Sequence, residues 1–196
     1  EWKMGWADFS PGATRDGYVV EFDSIEPVEP PPQAAIDFYI HLGSAGGVAG
    51  GTVQIPVALD FAYGQSPASG DPVTGWSYGI AHDASLLVPT SVSIAGTDTG
   101  QLNGGSGPDF FEGNILDGGV TVEIALGGGG GVASIPAQNN WHDVTVEYQI
   151  AEAAGGCGTG GSGTTTNLSV VDTLGSPTVP VQAISGTNVF QALGWD

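Results

Sequence analysis

Apolar and polar residues alternate with a period of two in four separate parts of the chain. Strict alternation over four to eight residues is typical of a β-strand with one buried face and one face in water. We therefore predict half-buried strands at 36–42 (IDFYIHL), 52–60 (TVQIPVALD), 120–126 and 144–150. Pro56 lacks a backbone N–H, and its place within the second stretch predicts a sheet edge or a bulge there.

Six weaker stretches have the same character, and Gly, Pro, Asn or Asp bounds each of them. No segment repeats its apolar residues with a helical period, so we predict no helix. Many short strands with Gly-rich connections predict an all-β antiparallel sandwich or barrel rather than a parallel α/β sheet. The six stretches are 18–25, 89–95, 109–116, 165–172, 178–184 and 187–193.

The stretch GWSYGIAHD, residues 75–83, has two competing interpretations. Its first five letters spell G-x-S-x-G, the nucleophile elbow of α/β-hydrolases. Ser77 followed by Asp109 or Asp117 and then by His142 would give the hydrolase order Ser, Asp, His. A hydrolase is therefore one hypothesis that the surrounding sequence has to test.

The local pattern favours a core strand instead. An elbow needs a strand, a sharp turn and then a helix, but the alternation runs through Ser77 without a break, and only ASLLV separates Asp83 from Pro89. We predict that Asp83 ends the strand in a tight turn by accepting backbone N–H bonds, and that Ser77 is not a nucleophile. The residues predicted to share one face are Trp76, Tyr78, Ile80 and His82.

The charge composition narrows the classes of partner. The chain has 21 acidic and two basic residues, and both basic residues, Lys3 and Arg15, lie in its first fifteen positions. Phosphate backbones and anionic lipids attract clustered Lys and Arg, so we expect neither nucleic acid nor an anionic membrane as a partner. Salty or divalent-rich surroundings would screen the repulsion between the acids.

Because the chain starts at Glu1 and shows no signal segment, we expect a mature extracellular protein.

The first 35 residues differ in character from the rest, and we expect an N-terminal arm at 1–35 and a sandwich at 36–196. The arm contains a strand-like GYVVEF (17–22) and a Pro-rich EPVEPPPQ (26–33), which predicts a stiff spacer. Such a strand could add to a sheet of a neighbouring subunit, and head-to-tail repetition would make an open filament; folding back onto its own sandwich is the alternative. The expected arm contacts are Trp2, Trp6, Arg15, Tyr18, Val20 and Phe22.

Two motifs resemble the cohesin family. AGGTVQIPVALD (49–60) is similar to the family's opening strand, G-D-T-V-x-I-P-V, with Gly51 where an Asp is frequent. VTGWSYGIAHDASLL (73–87) is similar to the following strand and turn, with His82 at an aromatic position and Ala84 in place of a Pro. Despite these departures the two motifs still resemble those of the family, and the resemblance concerns the fold.

The resemblance covers residues 36 to about 193, since HDVTVEYQI (142–150) and TNVFQAL (187–193) are similar to the family's last strands. It implies a jelly-roll β-sandwich of about nine strands, as in cellulosome scaffolds and other secreted bacterial and archaeal proteins. The partner of a true cohesin is a dockerin. No motif transfers the contact residues, so the resemblance leaves a dockerin site unassigned.

Calcium is the one cofactor that the residues suggest, because oxygen ligands are abundant in one Gly-rich region. No EF-hand spacing is present, and a solvated acidic loop is the alternative. The three histidines do not have the spacing of zinc ligands. No pair of acidic residues has a spacing that would identify the two carboxylates of a glycosidase. Cys157 is the only cysteine in the sequence, so it has no partner for an intrachain disulfide. The candidate calcium ligands are Asp98, Asp109, Glu112 and Asp117.

From these observations we expect a non-enzymatic, secreted structural protein that builds an extracellular filament or a cell-surface assembly from copies of itself. The alternative is a cohesin-type module that binds a dockerin-like or adhesin partner. Carbohydrate binding ranks third, because the polar faces of the strands carry mainly Thr, Gln, Glu and Ala rather than planar aromatic residues.

Overall fold

The structure is a computed structural model that describes residues 36–63, 73–127, 134–135, 140–152, 164–185, 188–191 and 194–195. The predicted arm at 1–35, with its strand at 18–25, lies outside the described residues, and so does Cys157. The described residues therefore all belong to the predicted sandwich.

Two sheets make up the described part of the chain. The strands are β1 (Ile36–Leu42), β2 (Thr52–Tyr63), β3 (Gly75–Ala81), β4 (Leu87–Ser93), β5 (Phe110–Leu116), β6 (Gly119–Ala125), β7 (Trp141–Ile150), β8 (Ser169–Val171), β9 (Gln182–Ser185), β10 (Asn188–Gln191) and β11 (Gly194–Trp195). The first sheet has the order β11-β1-β2-β7-β4, and the second has the order β10-β9-β3-β6-β5, with β8 also paired to β3. Neighbouring strands are antiparallel except β1 and β11, which confirms the predicted antiparallel sandwich.

One apolar core lies between the sheets, and it includes most of the residues that the alternation predicted to face inward. Trp76, Tyr78 and Ile80 are buried, so the predicted face of GWSYGIAHD is confirmed. Phe61 connects the layers, because its ring lies 5.4 Å from that of Phe38 within the first sheet and 5.5 Å from that of Trp76 in the second. Other buried residues of this core are Ile40, Val57, Leu59, Val120, Val122, Ile124, Val144, Val146 and Tyr148.

A short helix, α1 (Asp98–Gly105), shows that the prediction of no helix was wrong. Thr97 begins it: its Oγ1 accepts the N–H of Gly100 at 3.0 Å, which satisfies one of the donors that a helix start leaves open. The helix is irregular from Leu102 onward, so it never develops the 3.6-residue period that a sequence search detects. No described helix is long and apolar enough to cross a membrane.

Pro56 lies in a central strand, because β2 pairs with both β1 and β7. The predicted edge position is therefore wrong, whereas the predicted bulge is confirmed one residue away, between Val57 and Ala58. The Pro56 carbonyl accepts the N–H of Gly43 at 2.8 Å, but proline has no N–H to return the second bond of such a pair, and the pairing with β1 ends at Leu42.

The connection between β8 and β9, residues 172–181, packs against the outer face of the second sheet. Leu174 of this covering segment lies over Gly79 and Gly119, and the Pro180 carbonyl accepts a 2.7 Å hydrogen bond from the Ser77 hydroxyl. Gly79 and Gly119 therefore leave room for Leu174 on a sheet face that would otherwise carry side chains. This packing explains Ser77 and Gly79 of the G-x-S-x-G letters.

We predict that Gly119→Ala destabilises the protein by about 1–3 kcal/mol, because the added methyl would lie well inside van der Waals contact with the Ile80 carbonyl and Leu174 Cδ1. Gly118→Ala is the matched control, since no atom lies within 4 Å of its Cβ position. Urea unfolding of both variants measures the difference. Equal stabilities would show that the covering segment does not need the glycine.

Candidate functional site

Asp143 is the only fully buried acidic or basic side chain among the described residues. The bulge places it there: Val57 pairs with Val144, Ala58 pairs with His142, and Asp143 between them has no partner in β2. An extra residue breaks the alternation of a strand, so Asp143 and Val144 both lie on the buried side of β7.

Hydroxyl groups from two other elements meet the buried carboxylate. Tyr78 of β3 donates to Oδ2 at 2.6 Å, and Thr99 of α1 donates to Oδ1 at 2.6 Å. Trp141 Nε1 in turn donates to the Thr99 hydroxyl at 2.7 Å. A second bond fixes the same helix, since the backbone N–H of His142 donates to Asp98 at 2.9 Å. The network therefore joins β3, β7 and the connection between β4 and β5.

Burial sets the protonation behaviour of this network. Desolvation raises the pKa of Asp143 to about 6, although hydrogen bonds from Thr99 and Tyr78 oppose the rise by stabilising the carboxylate. The pKa of Tyr78 also lies well above its ordinary value, first because the ring is buried and then because Asp143 is nearby. Both carboxylate oxygens already accept bonds from protein donors. The arrangement is suited to holding elements together, and it leaves no Asp143 oxygen unbonded for acid–base chemistry.

His82 is half-buried and directly follows β3. Its ring meets Tyr148 edge-on with centroids 5.4 Å apart, and neither its ring nitrogens nor the Tyr148 hydroxyl has a hydrogen-bond partner among the described residues. Burial lowers the pKa of His82, with the charge of Asp83 opposing, and burial raises the pKa of Tyr148 to about 12. Both groups are therefore neutral near pH 7, as a packing role requires.

The structure gives the residues of the hydrolase hypothesis separate partners. Ser77 lies inside β3 and donates to Pro180, whereas His142 Nε2 faces the Thr145 hydroxyl at 3.2 Å. Asp83 forms the predicted turn, because its Oδ1 accepts the N–H and the hydroxyl of Ser85 at 2.9 and 2.6 Å. The preference for a core strand over a nucleophile elbow is confirmed.

The four candidate calcium ligands lie on different elements. Asp98 is in the first turn of α1, Asp109 precedes β5, Glu112 lies within β5, and Asp117 is in the turn to β6. Among the residues that the structure describes, no three His, Cys, Asp or Glu side chains come together to hold a metal ion. Calcium binding stays a prediction without a described site, and the six arm residues lie outside the described part.

A cleft of about 570 Å³ lies between the β1–β2 connection and residues 164–168, and sequence reasoning did not anticipate it. Leu42, Val53, Ile55 and Ile150 are among its apolar lining residues, and none of the lining residues carries a charge. Thr164–Thr166 and Asn167 add hydroxyl and amide groups at one side. The lining has no charged group that would anchor a polar ligand.

Comparison with solved structures shows a cohesin-like β-sandwich. The sixth cohesin of scaffoldin B from Acetivibrio cellulolyticus, solved with a Cel5 dockerin mutant, has 17% identity and a TM-score of 0.53, covering 82% of this chain and 94% of that one. The cohesin of the Coh-OlpA–Doc918 complex from Clostridium thermocellum has 12% identity and a TM-score of 0.53, covering 80% and 92%. No protein-family model and no curated protein matches the sequence.

We predict that Asp143→Asn changes how stability depends on pH. The pKa of Asp143 is higher in the folded protein, about 6, than the 3.8 of an unperturbed Asp, so its contribution is fully present below about pH 4 and is lost as the pH rises through 6. The loss amounts to roughly 3 kcal/mol. Relative to the wild type, the variant should therefore gain stability between pH 4 and 7, measured by urea unfolding. Parallel curves would contradict the raised pKa.

Proposed function

We propose that the chain is a non-catalytic, extracellular, cohesin-like module whose function is to bind another protein. The fold carries this proposal, since cohesins that cover most of this chain were solved in complexes with dockerins. A dockerin-like protein is accordingly the first partner to test. The hydrogen-bonded state of Ser77 and Asp143 supports the non-catalytic part, because neither presents a reactive group.

Charge favours a partner different from the chain itself. Residues 36–196 contain fourteen acidic residues and no Lys or Arg, and residues 1–35 contain seven acidic residues beside Lys3 and Arg15. Both the sandwich and the arm are therefore anionic, so charge opposes contact between copies, whereas a basic surface on another protein is attracted. A filament built through the arm remains a prediction from the sequence, now with this electrostatic argument against it.

We predict that the full chain binds at least one member of a panel of purified type I dockerins saturably, with an affinity that falls as salt rises, because screening weakens attraction to an acidic surface. Calorimetric titrations at several NaCl concentrations measure this. An unrelated β-sandwich of similar net charge is the control for nonspecific attraction.

Absence of saturable binding to every dockerin tested would contradict a dockerin-like partner. Electron micrographs of the full chain alone distinguish the alternative. Regular filaments that disappear when residues 1–35 are deleted, with the sandwich still folded, would favour self-assembly through the arm.

A further inference from the structure

Strand β5 forms an edge of the second sheet, and no other described strand pairs with its free side, although Val92 of β4 packs on its inner face at Gly113. Phe110 and Ile115 on this strand are 46% and 47% exposed, although by alternation they lie on opposite faces. Both faces of the strand therefore present a large apolar side chain that the described residues leave about half exposed. Among the described strands, only β5 has two such residues.

The neighbouring edge strand, β4, is protected against pairing in a way that β5 is not. β4 contains Pro89, which cannot donate a ladder bond, and its register shifts between Pro89 and Ser91. Proline and bulges are common devices that stop edge strands from pairing with other chains. β5 pairs with β6 through seven consecutive residues without a shift, and it contains neither Pro nor Lys. Its backbone is therefore regular enough to accept another strand.

The sequence of β5, FFEGNIL, reads as apolar, apolar, polar, Gly, polar, apolar, apolar in both directions. Residues opposite each other in an antiparallel pair have side chains on the same face of the sheet. When two copies of one strand pair about a twofold axis perpendicular to the sheet, one residue therefore lies opposite its own copy, and the axis lies between these two residues. An axis through Gly113 places Phe110 opposite Leu116, Phe111 opposite Ile115, and Glu112 opposite Asn114. All seven residues then have a suitable cross-strand neighbour.

The two adjacent registers, with the axis at Glu112 or at Asn114, place less compatible side chains opposite each other. An axis through Glu112 brings the two copies of that carboxylate directly opposite each other, and like charges in this position destabilise a strand pair. An axis through Asn114 places Phe111 opposite Asp117. The pattern of β5 thus selects one register among its neighbours.

We propose that β5 pairs antiparallel with β5 of a second copy of the chain, about a twofold axis at Gly113. The two second sheets then form one continuous sheet, and the exposed side chains of Phe110 and Ile115 gain apolar neighbours. Such a contact uses the same surface twice and closes on itself, so it gives a dimer and not a filament. It is independent of the proposed function, because the dimer needs no partner protein.

The net charge of −19 on each chain opposes this dimer. Screening reduces that repulsion, so the dimer should strengthen as NaCl rises to about 0.5 M, where the Debye length falls to about 4 Å. The response is opposite in sign to that expected for a basic partner. Sedimentation equilibrium of the full chain at several salt concentrations measures it.

Asn114→Asp tests the register. The substitution places a second carboxylate opposite Glu112 at two symmetric positions, and we expect it to weaken the dimer roughly tenfold. Asn167→Asp adds the same charge at another exposed asparagine and should leave dimerisation unchanged. Combining Asn114→Asp with Glu112→Lys pairs opposite charges across the axis and should restore the dimer. Circular dichroism checks that each variant is folded.

A wild-type chain that stays monomeric at millimolar concentration and high salt would overturn the proposal. So would a wild-type dimer that Asn114→Asp weakens no more than Asn167→Asp does, because that result would place the contact elsewhere, for example on the arm. Salt-strengthened dimerisation, with selective loss in Asn114→Asp and recovery in the double variant, is the result that supports it.

Discussion

The sandwich has to stabilise its carboxylates without a single Lys or Arg, and hydrogen-bond donors do this for several of the described acids. Tyr78 and Thr99 meet Asp143, the N–H and hydroxyl of Ser85 meet Asp83, and the N–H of His142 meets Asp98. Hydrogen bonds of this kind tie specific segments together, as an ion pair would. They do not cancel the charge. Further contacts of this type join Asp60 to Asn140, Glu147 to Gln54 and Thr90, and Glu112 to Asn114.

Uncancelled charge governs what the molecule can contact. Net negative charge favours contact with a basic surface, whereas a second copy would have to overcome repulsion through apolar and main-chain contacts. β5 is where the described chain offers both, with Phe110, Ile115 and a regular uncovered strand edge. Heterologous binding and dimerisation therefore respond to salt in opposite directions, which separates the two kinds of contact experimentally.

Most of the sandwich could be predicted from the sequence because a half-buried strand has a period of two, and β1, β2, β3, β6 and β7 all carry that period. The features that escaped prediction depend on departures from the period or on distant contacts. The bulge that turns Asp143 inward precedes the regular stretch 144–150, so the alternation of that stretch does not reveal it, and α1 is too short and irregular to show a helical repeat. Leu174 packs on Gly79 from almost a hundred residues away. For the same reason the network around Asp143 was not foreseen.

The fold tolerates a large uncancelled charge, and neutral donors hold several of its carboxylates. The free energy of unfolding of the full chain, measured as a function of NaCl below about 0.5 M at pH 7, tests this most directly. Screening relieves repulsion between carboxylates and has no Lys or Arg ion pair to weaken in the sandwich, so stability should rise steadily with salt. A stability that falls with added salt would contradict the account, because it would mean that attractive charge pairs hold the structure together.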